Sequence, residues 1–131
     1  MINTITSQSP TASIAPAPSK AANASLWGLQ ILTAAAFLYV GGVKLAGAAA
    51  MVAMFNAIGL GQWFRYLTGF LEVAGAIGLV IPRFTFYAAA LLSAVMIGAV
   101  ITHLAIIGGS PAPAAMLLIF SGAIAYLRRP R

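Results

Sequence analysis

The chain has 131 residues, of which 62% are hydrophobic and only 6% are charged, and its mean hydropathy is +1.01. Soluble globular chains carry about 25% charged residues, so this composition excludes an ordinary polar surface and predicts a membrane protein. The net charge of +6 does not indicate nucleic-acid binding, because the basic residues stand singly between apolar runs, as topological anchors do.

Residues 1–25 are rich in Ser, Thr, Ala and Pro, and their only charged residue is Lys20. They show no hydrophobic periodicity, so we predict a disordered N-terminal tail, followed by a transmembrane domain over residues 26–131. A cleaved signal peptide is the competing interpretation, since residues 48–50 are three alanines that resemble a cleavage site. The apolar run before them is longer than a signal peptide requires.

Four apolar segments follow the tail, at residues 26–46, 66–82, 84–107 and 111–127. As helices they would span roughly 25–36 Å, which is enough to cross the hydrocarbon core of a bilayer. The predicted fold is therefore all-α, an antiparallel bundle of four transmembrane helices.

The stretch between the first two segments, residues 48–65, mixes large apolar side chains with glycines and with Asn56, Gln62 and Arg65. This pattern predicts a short helix at the membrane interface and then a glycine turn, although a longer first helix would also fit.

The basic residues orient the predicted bundle. With four spans, the side that holds both termini collects Lys20, Arg83, Arg128, Arg129 and Arg131, and the other side holds only Lys44 and Arg65. Because positive charge concentrates in cytoplasmic segments, both termini are predicted to be cytoplasmic.

Small residues recur at four-residue spacing on two segments, at Ala74 and Gly78 and at Ala90, Ala94 and Gly98. Small residues let helix backbones approach closely, so these ridges predict packing within the bundle, with an oligomer interface as the alternative.

Glu72 is the only acidic residue, and it lies inside the second apolar segment. A carboxylate in hydrocarbon costs roughly 2.5–3.5 kcal/mol by insertion scales, so it needs a partner, a proton or water. On the predicted topology Lys44 ends the first span, Arg65 precedes the second, and His103 lies near the same end of the third. These four residues are predicted to form a polar pocket near the outer face, with Lys44 as the first partner of Glu72 and Arg65 as the second.

Three interpretations of this pocket stay open. The Lys44–Glu72 pair could tie two helices together, the pocket could bind a small solute or a quinone, or Glu72 could belong to a proton path. Paired, Glu72 stays ionised; unpaired, it becomes protonated. His103 is expected as a neutral imidazole bonded to a neighbouring helix. It could in principle ligate haem with Met96, but without cysteine or aspartate the ligand set is poor, and no metal site is predicted.

The order and spacing of five short motifs resemble those of the DoxX-like membrane proteins, over about residues 26–127. The motifs are GGVKL at 41–45, GLGQWFR at 59–65, LEVAGA at 71–76, LVIP at 79–82 and AVITHL at 99–104. The resemblance implies a four-helix integral membrane protein of a prokaryotic cytoplasmic membrane. Some relatives are linked to quinone-coupled sulfur oxidation or to membrane oxidoreductase assemblies that counter oxidative stress.

The resemblance therefore implies a membrane subunit in an oxidoreductase or quinone-linked system, with the bilayer and a membrane or soluble oxidoreductase subunit as partners and quinone as a possible cofactor. Whether the chain itself catalyses a reaction is left open. The alternatives are a small transporter or channel that uses Glu72 as a gate, and a structural assembly protein without catalysis.

Overall fold

The computed structural model describes residues 19–130, which are all-helical and include no strand. The helices are α1 (Lys20–Ala46), α2 (Ala49–Ile58), α3 (Gln62–Leu79), α4 (Thr85–Thr102), which continues as a π-helical turn (His103–Ile107), and α5 (Ala112–Leu127). The predicted all-α class is confirmed.

Helix α1 begins earlier than the sequence suggested. The Ser19 hydroxyl accepts a hydrogen bond from the Ala22 backbone N–H at 3.1 Å and caps the helix that starts at Lys20. Residues 20–25, which we assigned to the tail, are therefore helical, because a capping serine and an alanine-rich first turn favour a helix more than the composition of the tail opposes it. The rest of the tail, residues 1–18, lies outside the described residues, and its disorder stays a prediction.

The chain between α1 and α3 turns at glycines. Gly47, Gly59 and Gly61 all have positive φ angles, of 74°, 85° and 97°, a conformation that side chains with a Cβ disfavour. Gly47 ends α1 and so excludes the longer first helix. The ten-residue α2 is the short helix that the sequence predicted, and residues 62–65 belong to α3 rather than to the turn.

Helices α1 and α3 pack antiparallel at very short range. Gln30 contacts the end of α3 at Leu79, whereas Gly41 lies against Gly69 near the start of α3. A Cβ atom at Gly41 would lie 2.9 Å from the Gly69 carbonyl oxygen and also 2.9 Å from Val73 Cγ2, so a larger residue does not fit. This close approach of α1 and α3 is made by glycines that the small-residue ridges did not include.

Helices α3 and α4 are also antiparallel. Gly75 meets Leu92, and Gly78 meets Ala88, where an added Cβ would lie 2.8 Å from the alanine Cβ. Of the residues in the predicted ridges, Gly78 therefore makes the expected close contact. Gly98 does not, since a Cβ there would meet nothing within 4 Å.

The core and the outer surface are both apolar. Phe37, Leu79, Leu92 and Ile124 are completely buried, while more than twenty large apolar side chains point outward. An outer surface of this kind needs an apolar solvent. Two helical segments, Lys20–Ala46 and Thr85–Ile107, are long and apolar enough to cross a membrane.

Candidate functional site

The centre of the site is an ion pair between α1 and α3. Lys44 Nζ donates to Glu72 Oε1, and Glu72 is completely buried while Lys44 is 9% exposed. The pair forms where Gly41 and Gly69 let the two helices approach. A Cβ atom at Gly41 would lie 3.1 Å from Glu72 Cβ, and one at Gly69 would lie 3.1 Å from Lys44 Cβ. Lys44 is the first partner that the sequence suggested for Glu72.

Arg65 is close to this pair but does not contact the carboxylate. Its Nη1 donates to the backbone carbonyl of Lys44, and its Nε donates to Gln62 Oε1 at 2.7 Å. The carbonyl belongs to the last turn of α1 and also accepts from the Gly47 backbone N–H at 3.3 Å, so Arg65 adds a second hydrogen bond at the end of that helix. Its guanidinium is buried and also lies 4.3 Å from the centroid of the Tyr66 ring. Arg65 therefore fixes the position of the lysine that holds Glu72.

Gln62 links the same end of the site to α2, a role that sequence analysis missed. Its amide nitrogen donates to the Val52 carbonyl at 3.1 Å and to Asn56 Oδ1 at 2.8 Å. Because its amide oxygen accepts from Arg65, one residue joins α2 to the Arg65–Lys44 contact. The polar residues Asn56, Gln62 and Arg65 do occur together in the one irregular stretch of the sequence, which was the available signal.

His103 lies on the π-helical turn after α4, and such turns often occur at functional sites. Its Nδ1 is 3.0 Å from the Gly108 carbonyl oxygen, which can only accept, so Nδ1 carries a proton. In the neutral ring Nε2 is then the acceptor nitrogen. The histidine thus bonds the chain after its own helix instead of a neighbouring helix, and it makes no hydrogen bond to Lys44 or Glu72.

A cavity of about 660 Å³ brings three of the four predicted residues together. Lys44, Glu72 and His103 all line it, and Arg65 lies behind Lys44 without lining it. Residues of α2 form one wall with Met51, Met54, Phe55 and Ile58. The remaining walls are mainly apolar residues of α1, α3, α4 and α5, among them Val40, Leu71, Val95, Met96, Ala99 and Leu117.

The polar atoms at the cavity wall are not equally available to a ligand. The Thr68 hydroxyl donates to the carbonyls of Phe64 and Arg65, and the Thr102 hydroxyl to that of Gly98, so both are engaged by their own helices. Glu72 Oε2 differs, because among the described residues it is fully buried and has no hydrogen-bond partner. Glu72 is thus a lining residue with a buried acceptor whose hydrogen-bonding capacity is unused by the described residues.

A second polar cluster, which we call the glutamine cluster, was not predicted. Gln30 is completely buried; its amide donates to the Leu79 carbonyl at 2.8 Å, and its oxygen accepts from Arg128 Nε at 2.8 Å. The Thr85 hydroxyl donates to the same Leu79 carbonyl at 3.0 Å. The cluster joins α1, α5 and the α3–α4 turn. The one feature of the sequence that could have indicated this cluster is Gln30 itself, a single glutamine in an apolar segment.

The DoxX-like family model matches residues 28–127, which include every residue of the ion pair, the cavity and the glutamine cluster except Arg128. The chain belongs to the DoxX-like family. The resemblance drawn from the five motifs is thereby confirmed. No curated protein and no solved structure matches this DoxX-like chain. Family membership, two long apolar helices and an apolar outer surface make it a membrane protein.

Proposed function

We propose that this DoxX-like protein crosses the cytoplasmic membrane of a prokaryote four times, with α1, α3, α4 and α5 as spans and α2 at the outer interface. Helices α3 and α5 have 18 and 16 residues, or about 27 and 24 Å, and α4 with its π-helical turn has 23 residues. The large apolar side chains that α3 and α5 turn outward, such as Phe70 and Ile119, suit contact with lipid.

The proposed orientation keeps both termini in the cytoplasm. The α3–α4 turn with Arg83 and the end of α5 with Arg128 and Arg129 then share the cytoplasmic side, and Lys44 and Arg65 lie toward the outer side. The two outer basic residues are buried and engaged with Glu72 and with the end of α1, so they add little free positive charge to that side.

We propose that the cavity binds a small amphipathic molecule of the quinone class. The observation that carries this proposal is an apolar cavity of about 660 Å³ with a buried ion pair at its wall. Ligand sites of this volume typically combine apolar walls with a few polar groups that orient the ligand. A quinone offers a polar ring and an apolar tail, and it is dissolved in the bilayer that the protein occupies.

The proposed biochemical role is that of a membrane subunit in an oxidoreductase system. The chain has no cysteine, so it has no thiol couple of its own. An electron donor on a membrane or soluble partner subunit would therefore complete the reaction. Glu72 and Lys44 would hold the ring, and Arg65 would keep Lys44 in place.

The test begins with protein purified in native-lipid nanodiscs, from which quinones are extracted and measured by chromatography. The emptied protein is then titrated with decylbenzoquinone and with decylhydroquinone. We expect bound quinone in the wild type and, for Glu72→Gln, a loss of at least about tenfold in affinity for decylhydroquinone. The control is Gln30→Leu, which removes a buried polar group that does not line the cavity. If the wild-type protein neither co-purifies with a quinone nor binds either added ligand, the proposal is overturned.

A further inference from the structure

We infer that the cavity prefers a ligand that donates hydrogen bonds, and hence that it binds the reduced form, a quinol, more tightly than the quinone. This inference rests on the proposed function and specifies the redox form of its ligand. It follows from three features of the site: the unpaired oxygen of Glu72, the local charge, and the hydrogen bond of His103.

The unpaired oxygen of Glu72 requires a donor. Oε1 accepts from Lys44, whereas Oε2 is fully buried, has no partner in the described part of the chain, and belongs to a residue that lines the cavity. A carboxylate only accepts hydrogen bonds, and a buried acceptor without a partner is costly. A quinone carbonyl is also only an acceptor and would repel Oε2, whereas a quinol hydroxyl donates to it.

The local charge selects a neutral donor over a cationic one. Lys44 and Arg65 contribute two positive charges, and Glu72 contributes the only negative charge in the chain. A ligand with an ammonium group would add a third positive charge in a region of low dielectric constant. A hydroxyl can instead donate to Glu72 and accept from the remaining N–H groups of Lys44, so it satisfies both members of the pair.

His103 favours the same kind of ligand. Because its Nδ1 donates to the Gly108 carbonyl, the nitrogen left in the neutral ring is an acceptor. When the His103 ring is neutral, the cavity is lined by two residues, Glu72 and His103, whose uncommitted polar atoms both accept. A quinol carries two hydroxyl donors on one ring, whereas a quinone carries none.

Tighter binding of the quinol changes the redox balance of the bound couple. Reduction adds two electrons and two protons to the quinone and converts both carbonyls to hydroxyls. For a two-electron couple, each tenfold preference for the reduced form raises its reduction potential by about 30 mV. The bound quinone would thus be a better electron acceptor than the quinone in the bilayer.

The experiment compares three ligands of nearly equal shape on wild-type protein in nanodiscs under anaerobic conditions. Decylhydroquinone, decylbenzoquinone and the dimethyl ether of decylhydroquinone are titrated by calorimetry, the ether being a redox-inert analogue without donors. We expect the hydroquinone to bind on the order of 10- to 100-fold more tightly than either of the others, since hydrogen bonds to charged groups contribute this much.

Each outcome bears on a different statement. Equal affinity for the three ligands would overturn the preference for the quinol and leave the proposed quinone-class binding intact. No binding of any of them would overturn the proposed function itself. In Glu72→Gln, whose amide can donate, the preference should fall to below about threefold, whereas Gln30→Leu should keep it. If Glu72→Gln does not fold, the wild-type comparison alone decides.

Discussion

The ion pair of Lys44 and Glu72 and the glutamine cluster lie at opposite ends of the α1–α3 contact, about 21 Å apart along α1. Both bury polar side chains among apolar helices. In the glutamine cluster, Gln30 uses its amide and its oxygen to join three elements, and no residue of this cluster lines the cavity. In the ion pair, one carboxylate oxygen is left without a partner beside that cavity. Burial of polar groups therefore does not by itself indicate a binding site. The proposed site is distinguished by a buried acceptor that lacks a hydrogen-bond partner within residues 19–130, in a residue that lines a cavity.

The glutamine cluster also leaves two atoms unpaired nearby, Thr33 Oγ1 and Arg128 Nη2. Neither residue lines the cavity. Arg128 already donates through Nε to Gln30, and its guanidinium lies 5.7 Å from the centroid of the Trp27 ring. The comparison thus indicates a helix-joining role for the glutamine cluster and supports the proposal that a ligand binds beside the ion pair.

The largest expected effect comes from breaking the ion pair. Lys44→Met leaves the Glu72 carboxyl buried without its partner and should lower the free energy of unfolding by about 3–5 kcal/mol, as measured by SDS-titrated unfolding. The double variant Lys44→Met/Glu72→Gln removes both charges and should recover most of this loss. If the double variant also regains full ligand binding, the pair serves packing only, and the distinction between the two clusters fails.

The second-largest effect is expected at the close contact between α1 and α3 that allows the Lys44–Glu72 pair to form. Gly41→Ala would place a Cβ atom 2.9 Å from the Gly69 carbonyl oxygen and force α1 away from α3. We expect a loss of about 1–3 kcal/mol in SDS-titrated unfolding and weaker ligand binding. The matched control is the adjacent Gly42→Ala, whose Cβ would meet nothing within 4 Å. Equal effects of the two substitutions would contradict a specific close approach at Gly41.

Gln30→Leu should have a smaller effect and should act on stability alone. Leu79 keeps the hydrogen bond from Thr85 to its carbonyl, and Arg128 loses one acceptor. We therefore expect a loss of about 1 kcal/mol in the unfolding free energy and unchanged affinity for decylhydroquinone. A change in affinity as large as that of Glu72→Gln would show that the glutamine cluster and the cavity are coupled.

The smallest effect is expected at the contact between α4 and α5. Ser93 and Ser121 share an interhelical hydrogen bond of 3.1 Å, and each hydroxyl also bonds a carbonyl of its own helix. Ser93→Ala should cost only about 0.5 kcal/mol, because interhelical hydrogen bonds in membranes contribute about this much. A loss above 2 kcal/mol would place this serine pair beside the two clusters as a third determinant of packing.

Composition and connectivity were enough to nominate the candidate residues of the site. The position of Glu72 in an apolar segment required a partner, and helix length placed Lys44 at a similar depth; in the structure Lys44 Nζ donates to Glu72 Oε1. His103 was predicted at the same end and does line the cavity. The bond from Arg65 to the Lys44 carbonyl was not predicted, because a search for a partner of Glu72 considers side-chain charges and overlooks backbone carbonyls at the end of a helix.

The sequence by itself determined the helical class, the positions of the turns and the set of ionisable residues, because hydropathy, glycine and proline act locally along the chain. Only the tertiary structure decided which glycines let α1 and α3 touch and that Gln30 joins three elements. It also decided that Glu72 lines a cavity and has one carboxylate oxygen without a partner among residues 19–130. These features depend on distances between residues far apart in the chain, to which local patterns are insensitive.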